Sequence, residues 1–555
     1  MSELHPAFLL WPAAVLAVFL RGRAGAALAV AAPLAALAFL PQAGASAGVW
    51  TMAGFSLEPL RVDALARLFA AAFCLAAALG GLYAFSEESP LERAAGLAMA
   101  GAAAGVCFAG DWVTLFFCWE ALTMASLALI WAAGPRARGA GLRYLLVHAA
   151  GGGALLSGLL LLRAAGAPMA LSSLVSGGAP MSPAAWLILG GVALNAAVPP
   201  LHAWLTDAYP RCSPAGSVLQ SAFTTKAAVY VLLRVFPGAD VLVVLGSVMA
   251  VYGVIYAVME SDARRLLSYH IISQVGYMVA GAGLGTELAV SGASAHAFSH
   301  ILYKALLFMG AGALVHCAGT AHLAELGGLY GRLRPVFWLY MAGALAISGA
   351  PGFNGFISKP LIGLAAEQAG WNFAATMLHL ASAGTFLSVA LKLPYLAFFG
   401  AERGKVLRQP SAGMLLAMGA AAVLCVATGL YPAWLYARLP FPVDYHPFAF
   451  SHVRGTLELL AGIGLAFWLL RRGMKGEKGL TLDFDWFYRV PLAAVVTAAA
   501  GALQAAGAGA SAAAAKTIAG GAALLRERRP EAFPPVGGSL MWLAAAFALA
   551  VLLAR

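Results

Sequence analysis

The chain has 555 residues, 62% of them hydrophobic and only 10% charged, which excludes an ordinary soluble protein. The formal charge of +11 would suggest nucleic acid in a soluble protein. Here much of it lies in short loops between apolar runs, where the positive-inside rule accounts for it and no nucleic-acid partner is implied. The fold class is an all-α polytopic membrane protein with room for about 14 to 16 crossings of roughly 20 apolar residues each.

The first apolar run, 6–20, has no basic flank before it and reads as a first span rather than a cleaved signal peptide. Runs 24–41 and 63–85 carry few polar residues and read as packing helices. Arg21 and Arg23 follow the first span, Arg136, Arg138 and Arg143 the fifth, and Arg264 and Arg265 the ninth. That pattern puts the odd-numbered loops in the cytoplasm and the amino terminus outside. Runs 95–110 and 111–133 meet at Gly110 and Asp111, and the second holds Glu120 in the middle of its crossing. A carboxylate there costs about 3 kcal/mol on insertion scales, so it faces protein or water.

Run 142–162 contains His148 and the glycines 151–153. The stretch from Asn195 to Tyr230, NAAVPPLHAWLTDAYPRCSPAGSVLQSAFTTKAAVY, is the richest in the chain. Pro199 and Pro200 break its first helix, because proline removes a backbone donor and clashes with the preceding turn. The freed carbonyls then need water or a side chain, and interrupted helices at membrane depth line hydrated cavities or lie buried in protein. Its second half is long enough to cross and carries Lys226 near the middle, an intramembrane lysine and so a functional candidate. His202 and Asp207 are balanced between function and capping of the freed backbone.

After a span at 240–259 come the loop ESDARR and a run with Ser268, His270, Ser273 and Gln274. The run from Leu288 to His316 holds His296, His300 and Lys304 at steps of four, on one helical face and each about 6 Å further along the axis. GAPGFNGFISK, 349–359, is a second proline and glycine interruption. The run from Asn372 to Phe399 holds Lys392 shortly before Pro394. A faint internal repeat of interrupted segments suggests the inverted halves of a transporter. Spans at 411–433 and 455–470 come next, then the small-residue stretch 490–525, the basic RERR at 526–529, and a last span at 538–554. The divisions are 1–94 for packing helices, 95–238 and 239–435 for two repeats, and 436–555 for the C-terminal helices.

Glu120, Lys226, the His296–Lys304 face and Lys392 are thus ionisable groups spread through separate apolar helices. Bridged by water and by histidine, such groups take up and release protons. The plainer alternative is a set of buried ion pairs kept for packing. Four sites in separate helices, with two broken helices among them, favour the proton path. H-x-x-x-H could also hold zinc, but no third ligand comes at suitable spacing, so no metal is assigned. The six cysteines stand singly, without C-x-x-C pairs, which argues against iron–sulfur, zinc or disulfide frameworks. No nucleotide-binding motif occurs, and no cofactor is assigned.

At these residues the chain resembles the antiporter-type subunits shared by respiratory complex I, the multisubunit Mrp-type sodium/proton antiporters and membrane-bound hydrogenases. The resemblance covers 60–435. It is carried by FFCWE around Glu120, VPPLHAWLTDAYP through TTKAAVY, DARRLLSYHIISQVGYM, HAFSHILYKALLF, GFNGFISK and ALKLPYLAFFG. It implies two inverted five-helix repeats, each with a broken helix and a half-channel, joined by a central hydrophilic axis. It further implies that Glu120 is the fifth-helix glutamate, Lys226 the eighth-helix lysine, His296, His300 and Lys304 the central cluster, and Lys392 the charged residue of the twelfth helix. Asn195 stands where the seventh-helix lysine belongs, and an amide cannot titrate. The segment LDFDWFYR, 482–489, with the long helical stretch and final span after it, resembles the end of the larger complex I subunit with its lateral helix.

The expected function is proton translocation by a subunit embedded in the plasma membrane among other integral membrane subunits, without a redox cofactor of its own. The Mrp-type assembly leads and a redox-driven complex I or hydrogenase module is the alternative; sodium as a second ion stays open. The competing class is a non-conducting scaffold for a catalytic partner, motivated by Asn195, and an independent solute transporter ranks third.

Overall fold

The computed structural model describes residues 5–471 apart from 53, 88, 176–179 and 404, then 483–487 and scattered positions from 490 to 505. Helices dominate because the apolar runs satisfy every backbone group within one segment, the condition for crossing lipid. In chain order they are α1 (Ala7–Phe19), α2 (Gly22–Ala38), α3 (Ala64–Tyr83), α4 (Pro90–Phe108), α5 (Trp112–Ala132), α6 (Arg138–Ala164), α7 (Pro183–Asn195) and α8 (Ala203–Ala208). Next are α9 (Pro214–Ala222), α10 (Thr224–Val235), α11 (Asp240–Met259), α12 (Ala263–Leu284), α13 (Glu287–Ala318), α14 (Arg334–Ser348), α15 (Asn354–Gln368), α16 (Asn372–Thr385), α17 (Ala412–Leu430), α18 (Pro432–Tyr436) and α19 (Phe450–Leu470). A two-stranded hairpin, β1 (Trp50–Met52) with β2 (Phe55–Leu57), lies between α2 and α3.

Residues 5–483 belong to one compact unit. A second unit begins at Phe484 with the short helix α20 (Asp485–Phe487). The expected small-residue helix at 490–525 falls mostly outside the described residues, and RERR and the last span lie outside them altogether.

Side-chain caps fix many of the starts. Asp63, Ser89, Asp111, Ser182, Ser213, Asp262, Thr286 and Ser411 each accept from an amide of the first turn of the helix they precede, a contribution of about 1 kcal/mol apiece. Glycines in the left-handed conformation, Gly285, Gly319 and Gly349, end α12, α13 and α14. Among the described residues nine helices are long and apolar enough to cross a membrane, with α1, α2 and α7 as shorter apolar ones. The difference from 14 to 16 arises because several crossings are assembled from two pieces. α7 with α8, α9 with α10 and α14 with α15 are each too short alone, and α12, 22 residues long, carries Arg264, Arg265 and several polar groups.

Burial ranks the helices. The best apolar windows of α4 and α13 are 89% and 83% buried and that of α19 only 6%; α13, which packs against α3, α9, α12, α14, α15 and α17, is the axis and α19 is peripheral. With 32 residues, α13 runs about 48 Å. Beside it, α11 and α12 cross at backbone distance. A Cβ on Gly246 would meet Ala280 N at 2.3 Å, and one on Gly276 would meet Ala250 N and Gly246 O at 2.6 Å. Small residues permit this approach where lipid offers no hydrophobic drive between helices.

Both expected breaks occur. The helix ending at Asn195 resumes only at Ala203, and the Leu194 carbonyl at the break accepts from both the Ala197 amide and the Trp204 indole at 3.0 Å. The helix ending at Ser348 resumes at Asn354, through Gly349 and Gly352 at φ +75° and +88°. A third break, at Phe223 between α9 and α10, is not marked by proline or glycine. The run holding Lys392 continues α16 as two π-helical stretches, Phe386–Lys392 and Tyr395–Phe399.

Candidate functional site

Lys226 is fully buried in the first turn of α10, just beyond the break at Phe223. That break leaves the carboxyl end of α9 open. The Lys226 ammonium donates to Ser221 O there and to Thr225 Oγ1 at 3.1 Å. A cation on the negative end of a helix is favourable, and the lysine and the break support each other.

The α13 face holds three fully buried groups. His296 Nδ1 lies 3.1 Å from Ser358 Oγ on α15, and its Nε2 lies 3.4 Å from Tyr303 OH. Tyr303 donates to Gln274 Oε1 at 3.4 Å, and Gln274 Nε2 to Thr385 Oγ1 at 3.4 Å. Among the described residues neither ring nitrogen of His300, nor the Lys304 ammonium, has a hydrogen-bond partner. Buried polar groups are almost always satisfied, so water is the partner these two require.

Lys359 enters the sequence reading only as the end of an interruption. It sits one turn into α15, 7% exposed, and among the described residues its ammonium has no hydrogen-bond partner. Its Nζ lies 5.3 Å from the centre of the Tyr277 ring, a cation–π contact. It borders a cavity of about 440 Å³ that is also lined by Ser348, Ser382, Ser451, His452 and the Glu367–His379 pair. A lysine directly after a proline and glycine interruption is the signal that could have found it. The broken helix α14–α15 therefore carries Lys359, and Lys392 belongs to the helix after it.

Lys392 closes the first π-helical stretch and donates to Val258 O at 2.6 Å and Glu260 O at 2.7 Å. These carbonyls end α11, so Lys392, like Lys226, rests on a helix carboxyl terminus. His270, which the sequence does not single out as a site residue, places Nε2 2.7 Å from Ser388 Oγ in that same π-helical stretch.

Glu120 on α5 is half-buried and Asn195 on α7 is buried. Among the described residues Glu120 Oε1 and Asn195 Oδ1 have no hydrogen-bond partner. Gly152 of α6 lies against the glutamate; a Cβ there would come within 2.2 Å of Oε1. His148 stacks on Tyr144 at 3.8 Å and binds its carbonyl at 2.9 Å, a packing role within α6. Asp207 is held by Arg143 at 2.7 Å and by Arg211. The side chain of His202 makes no cap bond to α8. Its Nε2 lies 3.1 and 3.2 Å from the carboxylate oxygens of Asp483.

The buried groups form one electrostatic neighbourhood. His300 feels the charges of Lys226, Lys304 and Lys359. His270 feels those of Lys304, Lys359 and Lys392, and Lys304 those of Lys226 and Lys359. Lys226, Lys304 and Lys359 thus act on one another's surroundings around His300, and Lys392 joins them through His270. Lys226 and Lys392 are docked on carbonyls, while Lys304 and Lys359 between them are not. Among the described residues, no three His, Cys, Asp or Glu side chains converge as a metal site would require.

The sequence profile described as NADH:quinone oxidoreductase/Mrp antiporter, transmembrane, matches residues 109–387, half of the chain. An uncharacterized protein of Methanocaldococcus jannaschii is 32% identical over 360 residues, 60% of this chain and 75% of that protein. A Na(+)/H(+) antiporter subunit of Alkalihalophilus pseudofirmus is 35% identical over 213 residues, 37% of this chain and 43% of its own length. A chain of the membrane-bound sulfane sulfur reductase, an archaeal respiratory membrane complex, matches over 100% of both chains with a TM-score of 0.71 at 22% identity, a likeness of fold.

Proposed function

Since the chain belongs to the NADH:quinone oxidoreductase/Mrp antiporter transmembrane family, we propose that it is a proton-translocating, antiporter-like subunit of a multisubunit complex in the plasma membrane, of the cation/proton antiporter type. One observation carries the reading: the coupled row Lys226, His300, Lys304, Lys359, His270 and Lys392 runs through separate buried helices. Static ion pairs are the rival, but among the described residues Lys226, Lys304, Lys359 and Lys392 form no salt bridge. Glu260, which Lys392 feels, is the acid beside the far end of the row. Protons would enter at Lys226 or Lys392, each docked on a helix end, and cross through the undocked pair. Residues 95–238 and 239–435 would be the two antiporter repeats, and other integral membrane subunits the partners.

Lys392→Ala is expected to abolish proton flux in vesicles carrying the assembled complex, with the amount of assembled complex unchanged. Flux of normal size in that variant, measured by quenching of a pH-sensitive dye, would overturn the scheme.

The second reading, a silenced first half-channel or a scaffold, rests on Asn195. It is tested by Asn195→Lys. A gain in flux supports a channel closed by the amide, and an unchanged, already active complex rules the scaffold out. We expect the wild-type complex to be active. A redox-driven assembly is the alternative setting for the same proton path, and copurification of the neighbouring subunits separates the two.

A further inference from the structure

The short helix α9 reaches from a corner of charged groups to the carbonyl that holds Lys226, and side chains fix both of its ends. At the amino end Ser213 is the cap, its hydroxyl accepting from the Gly216 amide at 2.8 Å. The same hydroxyl hydrogen-bonds the Glu92 carboxyl at the start of α4. From the other side Arg264 of α12 donates to Cys212 O at 2.7 Å and to Ser217 Oγ at 3.5 Å. At the carboxyl end Ser221 O receives the Lys226 ammonium. Between its ends α9 is wedged against glycines. A Cβ on Gly80 or Gly96 would come within 2.5 or 2.8 Å of Leu219, and one on Gly312 within 3.2 Å of Pro214. A close-packed interior transmits strain, so a displacement at Ser213 reaches Ser221.

Glu92 is buried, but a cavity of about 20 Å³ beside it, lined also by Glu87, Arg93, Ala215 and Leu219, has room for one water. Arg93 donates to the Glu87 carbonyl, and its Nη1 has no hydrogen-bond partner among the described residues. Glu87 is half-buried in the loop before α4. Burial and the Glu92 charge lift its carboxyl to about 7 against the pull of Arg93. Protons are therefore exchanged at this corner near neutral pH. The charged and titratable groups that face the two acids are Arg93, Tyr83, Cys212 and Arg264.

We propose that Glu92 is a positioning residue for Lys226: through Ser213 it anchors the amino end of α9, and α9 presents the carbonyl on which the lysine rests. This inference rests on the proton-translocating reading. An ionised Glu92 keeps the Ser213 hydroxyl as its donor, and its charge suits the amino end of a helix. A protonated Glu92 lets Ser213 turn away, α9 resettles, and the lysine loses its dock. The corner thus sets how readily the first half of the path accepts a proton, without itself carrying the proton to Lys226.

The test measures proton flux in vesicles carrying the full complex, at several pH values with the pH difference across the membrane held constant. Glu92→Gln is expected to lower flux at neutral pH about threefold, the scale of one hydrogen bond. Wild-type flux should fall on acidification as Glu92 takes up a proton, and Glu92→Gln should lack that fall. Ser213→Ala should behave like Glu92→Gln, Ser213→Thr like the wild type, and the double variant Glu92→Gln/Ser213→Ala no worse than either single one. Additive losses, or an acid-side fall of wild-type size in Glu92→Gln, would overturn the proposal. Should Glu92→Gln fail to assemble, the serine variants decide: equal flux in Ser213→Ala and Ser213→Thr overturns it as well. Lys392→Ala run in parallel keeps the two readings apart. If it is inactive while Glu92→Gln is normal, only the Glu92 assignment fails; if it is active, the translocation reading itself fails.

Discussion

Lys359→Ala is expected to stop proton flux while leaving the subunit folded and assembled. The lysine donates no hydrogen bond, so its removal leaves no acceptor unpaired, and a buried charge without a counter-charge is a cost to the fold that the variant relieves. Stability should therefore hold or rise. Transport should not, because Lys359 couples to Lys304, His300 and His270 at once and borders the cavity of about 440 Å³. Lys359→Arg sharpens the test. Arginine keeps the charge but does not release its proton, so it should be as inactive as alanine. A working Lys359→Arg complex, assayed by dye quenching in vesicles, would show that the position supplies only charge.

Gly276→Val should have the largest effect on folding. A Cβ at Gly276 would stand 2.6 Å from Ala250 N and from Gly246 O. Both are backbone atoms, with no side chain that could swing away. A single added methyl in a packed core typically costs about 1–3 kcal/mol, and valine adds three carbons against a fixed helix. The damage should also reach the path, since α12 carries His270 and Gln274 and the end of α11 holds the Lys392 ammonium. Loss of the monodisperse detergent peak and a lower melting temperature are the expected readouts. Gly153→Ala is the control: nothing lies within 4 Å of its added Cβ, and alanine is the better helix former by about 1 kcal/mol. Wild-type stability in Gly276→Val would contradict the close crossing of α11 and α12.

Much of this is legible in the sequence because lipid makes the code strict. A charged side chain inside an apolar run has few harmless explanations, so Glu120, Lys226, Lys304 and Lys392 stand out, and Pro199 with Pro200 announces the end of α7. Lys359 escapes notice because the prolines and glycines before it read as punctuation and draw attention from the residue at their end. The break at Phe223 carries no local mark; it arises where Lys226 and the open end of α9 meet, a tertiary effect on a sequence that would otherwise run as one helix. The His202–Asp483 pair is beyond reach for a similar reason. The sequence shows a histidine near a broken helix and an aspartate near the end of the chain, and only folding joins positions 281 apart.

The π-helical winding around Lys392 has a mechanical consequence. Phe386–Lys392 is wound with more than the usual number of residues per turn, a form found mostly in short stretches at working parts of proteins. Unwinding one surplus residue into ordinary α geometry would rotate everything beyond it by about 100°. The amine would then leave the Val258 and Glu260 carbonyls while α16 stayed where it is. A single rod can thus act as a screw, turning its charge off one helix end without tilting its neighbours.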